Sequence, residues 1–259
     1  MAANRFHRAI VRPPGASYAQ GLTTAGLGAP DLAQALEQHA AYVRALESCG
    51  LEVERLPPDD RFPDSTFVED TAVLAERCPV LTRPGAPSRR GEADAIAPAL
   101  ARWFPLLESI PPPGTVDGGD ICVTASCVFI KLSERTNAAG ADALARLLER
   151  AGHRTRKIDI HGDGLLHLKT GLTDLGEGRL LVAPQLAGRP ELEGFEIVVV
   201  GEDELYCANA VRINDRVLFA AGFPRTEAEL RRRGFSPLVL EVSEFQKMDG
   251  GLSCLSLRF

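Results

Sequence analysis

The 259-residue sequence has no run of apolar residues approaching the ~20 needed to cross a bilayer. Its opening segment, MAANRFHRAIVRPPG, lacks the apolar core of a secretory leader, so a cytoplasmic protein that does not engage the membrane is expected. No basic stripe is present either. With 29 Lys and Arg against 35 Asp and Glu, the formal charge is -6, which disfavours nucleic acid as a partner and favours a cationic small molecule. The six cysteines, Cys49, Cys78, Cys122, Cys127, Cys207 and Cys254, form no CxxC pair and have no histidine cluster beside them, so no zinc site is expected and free thiols are. No glycine-rich phosphate loop follows a strand. The pairs Gly118-Gly119 and Gly250-Gly251 are flanked by aspartates instead, which argues against nucleotide binding.

What the chain has is an ordinary globular balance, 45% hydrophobic and 25% charged, and length enough for one large domain or two small ones. Apolar positions at helical spacing (Leu32, Leu36, His39, Val43, Leu46) predict a helix over 31–47, started at Pro30-Asp31 and stopped by Gly50. Further helices are expected near 90–104, 139–151 and 226–233, the last with Thr226 and Glu229 at capping-box spacing. Between them lie β-rich runs that follow polar turns: FVEDTAVLA, DICVTASCVFIKL, HLKTGL, CANAVRI with RVLFAAG, and GLSCLSLRF. Taking Asp64, Asp117, His167, Cys207 and Asp249 as markers, the steps are 53, 50, 40 and 42 residues. Such spacing fits five degenerate modules of two or three strands and a helix, whose polar turns would meet at one end of a central axis. An irregular α/β domain is the alternative. The segments RPPGASYAQGL and RPGAPSRRG are the expected mobile loops.

The turns are dense in acids: Asp64, Glu69 and Asp70, then Asp117 and Asp120, then Asp249. Any one of these could be a turn-capping aspartate bonded to local backbone. Glu69-Asp70 is different, because it lies inside a strand-like apolar run where burial demands a cationic partner. The spacing of the acids matches no calcium loop. Five of the six cysteines read as small buried hydrophobes. Cys254, just after a double glycine, reads the same way unless a proton-transfer partner faces it, since an ordinary thiol is only a few per cent thiolate at neutral pH. Among the histidines, His7 and His39 read as surface or helix-face residues, His153 follows a helix end and His161 sits in a polar loop. His167 opens a predicted strand on a module turn. With a turn acid such as Asp117 to hold its tautomer, it could shuttle protons.

The set PDSTFVEDTAVL, TRPGAPSRR, VDGGD, KLSERTN, HLKTG, NAV-I-ND and KMDGGLSCLSLRF resembles the dimethylarginine dimethylaminohydrolases of the guanidino-modifying, or arginine deiminase, superfamily. The resemblance runs from about residue 22 to residue 257 in family order. It implies a single catalytic α/β domain over 1–259, a pentein of five pseudo-symmetric ββαβ modules around a central channel. It also implies hydrolysis of free methylated arginine to citrulline through a covalent thiouronium, with no metal or organic cofactor. By the same resemblance Cys254 is the nucleophile, His167 the general acid and base, and Asp117, where many members carry Glu, the acid beside it. Asp70 and Asp249 are then guanidinium-binding acids, with Glu69 an alternative to Asp70, because neighbours on a strand face opposite ways. Arg89 and Arg135 resemble the pair that binds the α-carboxylate, Asp64 the acceptor for the α-amino group, and Leu22 part of a lid. A homodimer is a candidate assembly. The rival readings are an arginine or agmatine deiminase releasing ammonia, and a non-catalytic module that binds cationic amino acids.

Overall fold

The structure is a computed structural model that describes residues 5–76, 78–160, 162 and 164–259. His161, assigned to a polar loop, lies outside the described residues.

Among the described residues, fifteen short strands form five three-stranded sheets built to one plan: an inner strand pairs antiparallel with a middle strand, which pairs parallel with an outer one. The sheets are β3 (Ala72–Ala75), β4 (Cys78–Leu81) and β5 (Glu108–Ser109); β6 (Ile121–Val123), β7 (Val128–Leu132) and β8 (Thr155–Asp159); β9 (Leu172–Gly176), β10 (Arg179–Val182) and β11 (Glu196–Val199); and β12 (Val211–Ile213), β13 (Arg216–Ala220) and β14 (Pro237–Leu240). The fifth joins the two ends of the chain, with β15 (Leu257–Arg258) inside β1 (Arg8–Val11) and β2 (Glu52–Arg55) outside.

A parallel pair needs a crossover, and helices supply it in four modules: α1 (Leu32–Ser48), α2 (Arg90–Ala101), α3 (Ala138–Arg150) and α5 (Pro224–Arg232). The remaining module has, between β10 and β11, only two single 3₁₀ turns, Pro184–Leu186 and Pro190–Leu192, where a helix was expected. Asp31 caps α1 by accepting from the Gln34 amide, and Asn137 caps α3 through Gly140. The buried stripe of α1 is rotated from the expected one: Ala35, Tyr42 and Ala45 are buried with His39, whereas Leu36 is exposed. The expected capping box of α5 is absent, because Thr226 lies inside a helix begun by Pro224 and gives both its amide and its hydroxyl to Glu204. The two segments expected as mobile loops carry local structure of their own. Each forms a 3₁₀ turn, Tyr18–Gln20 and Pro87–Arg89, that buries Tyr18 and Arg89.

Five separate apolar cores lie between neighbouring sheets, and successive residues of one strand serve different cores. Leu180 and Val182 of β10 pack with Cys122 and Phe129, while Leu181 packs with Val217 and Phe219. Strands buried on both faces read as continuous apolar runs, which is how VFI in β7 and RLLV in β10 appear in the sequence. A short helical turn precedes each inner strand: Val68–Thr71, Gly118–Asp120, α4 (Leu168–Gly171), Glu202–Ala208 and Ser253–Leu255. Consecutive turns contact one another around the axis, and Asn209 links the last two groups by bonding Lys169 and Ser253. The arrangement is the five-module pentein.

Candidate active site

The ring of turns positions the functional side chains. Leu22, Asp64, Asp70, Arg89, Arg135, His167, Asp249 and Cys254 all line one cleft, as do Phe67, Leu166, Met248 and Gly250. Asp117 lies one layer deeper. The turn acids, His167 and Cys254 stood out in the sequence by residue type and position, and Arg89 and Arg135 only through the family resemblance, whereas Phe67 and Met248 gave no signal, since an isolated Phe or Met reads as core.

His167 does not open a strand. It is the residue before α4, its backbone extended, and its amide and carbonyl are both tied to Thr170. Its Nε2 lies 3.1 Å from Oδ2 of the fully buried Asp117, so the short side chain reaches the ring. Oδ1 of Asp117 accepts from the Gly85 amide at 2.8 Å, which assigns a role to the TRPGA segment. The second glycine of VDGGD is required by contact: a Cβ on Gly119 would stand 2.9 Å from the His167 ring. Burial disfavours the imidazolium, but the charge of Asp70, the bond to Asp117 and the charge of Asp120 outweigh it and raise the ring to about 9. At neutral pH His167 is a cation. The Cys254 thiol moves the other way, up to about 12, through burial with the charges of Glu69 and Asp70 added. In the empty cleft the sulfur is therefore protonated.

Glu69 and Asp70 sit in a 3₁₀ turn and not in the expected strand. They nevertheless diverge. Asp70 accepts from the Gly119 amide at 2.8 Å and from Arg89 Nη1 at 2.6 Å, facing the cleft. Glu69 turns to the opposite side, where Lys169, Ser253 and Arg258 donate to it at 2.7, 2.7 and 2.8 Å. Beyond that cluster lies a second cavity of about 380 Å³, and neither Cys254 nor His167 lines it. Glu69 is thus part of the floor between the two spaces.

The two arginines expected to act as a pair differ. Arg89 is buried, and its guanidinium donates to Glu92, to Asp70 and to the carbonyls of Asp64 and Phe67, so most of its five donors hold the cleft wall together. Arg135 is half-buried on the 133–136 turn. Its guanidinium is the less committed of the two. Glu92, which sequence reasoning passed over, would have been recognisable only as an acid three residues after Arg89 at the start of α2. The lid expectation also has a structural counterpart: the Leu22 amide donates to Asp64 at 3.0 Å, and Thr24 donates through its amide and hydroxyl to Asp249. Asp249 adopts φ +56°, unusual for a residue with a Cβ. Although the linear spacing predicted no metal ligands, folding brings donor atoms of Asp70, Asp117 and His167 within 4.8 Å of one another, close enough to hold an ion.

No family model matches the chain. The curated N(G),N(G)-dimethylarginine dimethylaminohydrolase of Pseudomonas aeruginosa is 45% identical over 255 residues, 98% of this chain and 100% of that protein. A solved structure of the P. aeruginosa enzyme, with its cysteine replaced by serine and in complex with citrulline, superposes with a TM-score of 0.96 at 44% identity, covering 99% of this chain and 100% of the other. The N-terminal domain of ArgZ, a cyanobacterial arginine dihydrolase, matches at a TM-score of 0.83 and 20% identity over 98% of this chain, which speaks to the fold alone. Near-complete coverage at such identity, on a fold that gathers the cysteine, histidine and acids in one cleft, places this chain in the N(G),N(G)-dimethylarginine dimethylaminohydrolase family.

Proposed function

We propose that this protein hydrolyses free Nω-methylated arginine to citrulline and an alkylamine, with Cys254 as nucleophile, His167 as proton carrier and Asp117 as the acid that holds it. The observation that carries this reading is the cleft itself: a thiol, an imidazolium and the carboxylates of Asp64, Asp70 and Asp249 share it with the guanidinium of Arg135, which suits a substrate cationic at one end and anionic at the other. The P. aeruginosa relative's name and its citrulline complex support the same reaction.

A guanidinium carbon is a poor electrophile, so orienting it is a large part of the task. Asp70 and Asp249 bind its nitrogens and hold it planar beside the sulfur, Arg135 with the remaining Nη1 donor of Arg89 takes the α-carboxylate, and Asp64 takes the α-amino group. The lid segment around Leu22 must then exchange its own bonds to Asp64 and Asp249 for the substrate's. Entry of a cation opposes the burial and acid charges that keep the thiol protonated, so the thiol loses its proton to solvent on binding. The thiolate attacks the guanidinium carbon to form a neutral tetrahedral adduct. Imidazolium then protonates the departing amine, and a covalent thiouronium remains. Neutral His167 next takes a proton from water as it attacks, and collapse of the adduct breaks the C–S bond and releases citrulline, the adduct's hydroxyl proton passing to the departing sulfur to restore the thiol.

The test is to incubate the protein with asymmetric dimethylarginine, monomethylarginine, arginine and agmatine and to measure ureido product. Citrulline from the methylated arginines is expected. Turnover of arginine in preference to both would make the protein a deiminase, and no ureido product from any of them would leave only the binding-module reading.

A further inference from the structure

We propose that Lys131 and Asp120 are positioning residues that fix His167 for proton transfer; the inference rests on the hydrolytic reading above. Neither side chain lines the cleft, and both are almost completely buried. A buried ammonium and carboxylate in an apolar strand environment cost several kcal/mol unless their hydrogen-bonding capacity is used. Here it is used on the backbone around His167. Lys131 Nζ, reaching out of β7, donates to the carbonyls of Leu165 and Leu166 at 2.6 and 2.9 Å, the two residues just before the histidine. Oδ1 of Asp120 accepts from the amide of Leu168, the residue just after it, at 3.2 Å, and stands 3.9 Å from Nζ.

The segment being held needs such a fixture. Gly162 and Gly164 adopt φ +85° and +73°, a left-handed backbone that glycine enters without cost and leaves as readily. Where that segment ends is set by the Lys131 bonds. The same pair also reaches the rest of the site. Ser133 Oγ donates to Asp120 Oδ2 at 2.7 Å and accepts from the amides of Arg135 and Thr136, while Thr136 Oγ1 accepts from the Asp117 amide. One buried network thus sets the backbone of the histidine, its acid partner and the half-buried Arg135 together. The charged groups facing the imidazole are Asp117, Asp120 and Asp70; Lys169, on the histidine's own turn, is paired with Glu69.

The experiment compares the parent enzyme with Lys131→Met and Asp120→Asn on methylated arginine between about pH 6 and about pH 10, fitting kcat and KM separately. Misplacing a proton carrier by about 1 Å lowers kcat on the order of 100-fold, so Lys131→Met should do this with KM held within about threefold. Asp120→Asn keeps the shape but removes a charge that favours imidazolium, so the basic limb of its kcat profile should move to lower pH. A loss of folding alone would not move that limb. A Lys131→Met kcat within about threefold of the parent, or an Asp120→Asn limb that coincides with the parent's, overturns the proposal. Should Lys131→Met fail to fold, the Asp120→Asn limb decides. A parent enzyme that turns over no methylated arginine sinks the hydrolytic reading and this inference with it, whereas an active parent with unaltered variants sinks only the inference.

Discussion

Cys254 and His167 both keep their protons in the free site, one neutral and the other charged, and Asp70 favours both states. Carboxylates near the sulfur add to burial and keep the thiol neutral, while those near the ring overcome burial and keep it charged. In the proposed reaction the general acid is thus loaded before substrate arrives, and the nucleophile waits for a cation. Four outcomes follow at this scale. Cys254→Ser should lower kcat on the order of 10⁴-fold or more while calorimetry still detects substrate binding, because a hydroxyl cannot ionise in that site. For pH, the proposed reaction uses the protonated imidazole for amine departure, so kcat/KM should fall as pH rises through about 9, the value of the free site. Asp117→Asn removes a bond and a charge that favour the cation. Its basic limb should therefore shift downward, with a kcat loss of about 10²–10⁴-fold in stopped or continuous citrulline assays. The linkage has the same sign for stability: a histidine raised from its ordinary 6.5 stabilises the folded protein fully below about 6.5, and that contribution disappears as pH passes about 9.

The short helical turn before each inner strand explains why the polar residues meet. A strand alone would alternate its side chains between two cores, leaving no direction for an acid except into an apolar layer. A turn of 3₁₀ at the strand's entrance instead aims one side chain into the cleft and its neighbour toward the floor, as Asp70 and Glu69 do. The crossover helices serve stability more than chemistry. Asn137 caps α3 through Gly140, and its side chain also accepts from Thr115 and donates to Pro113. Asn137→Ala should therefore cost about 1–2 kcal/mol in urea unfolding, with kcat unchanged within about twofold. A kcat loss as large as that of the Asp117 variant would show that α3 does more than brace its sheet.

Across the whole molecule, five cores between five sheets close into a ring only because β15 docks on β1. The closure is tied at the axis by Glu69, which burial alone would protonate but which Lys169 and Arg258, from other modules, hold ionised. Removing one partner of such a group leaves a buried charge short of compensation. Arg258→Met should thus destabilise the protein by about 3 kcal/mol, read as a lower urea midpoint, since Lys169 still pairs with Glu69. An unchanged midpoint would mean that the axis cluster carries no stability. Much of this molecule was legible in its sequence, because turn acids and paired glycines recur at module spacing and local rules place the caps of α1 and α3. The modular count, the helices over four crossovers and the turn acids of the cleft follow from such short-range signals, whereas Arg89 and Arg135 were reached only through the family resemblance. Tertiary structure alone decided which acid of Glu69-Asp70 faces the sulfur, since a 3₁₀ turn and a strand look alike over four residues. It also decided that Arg89 is largely spent on Glu92 and that Thr226 answers to Glu204, because such pairings form between groups whose approach is set by packing. Sequence specified the donors and acceptors; the ring's closure selected their partners, because a buried polar group bonds whatever the surrounding packing brings within about 3 Å.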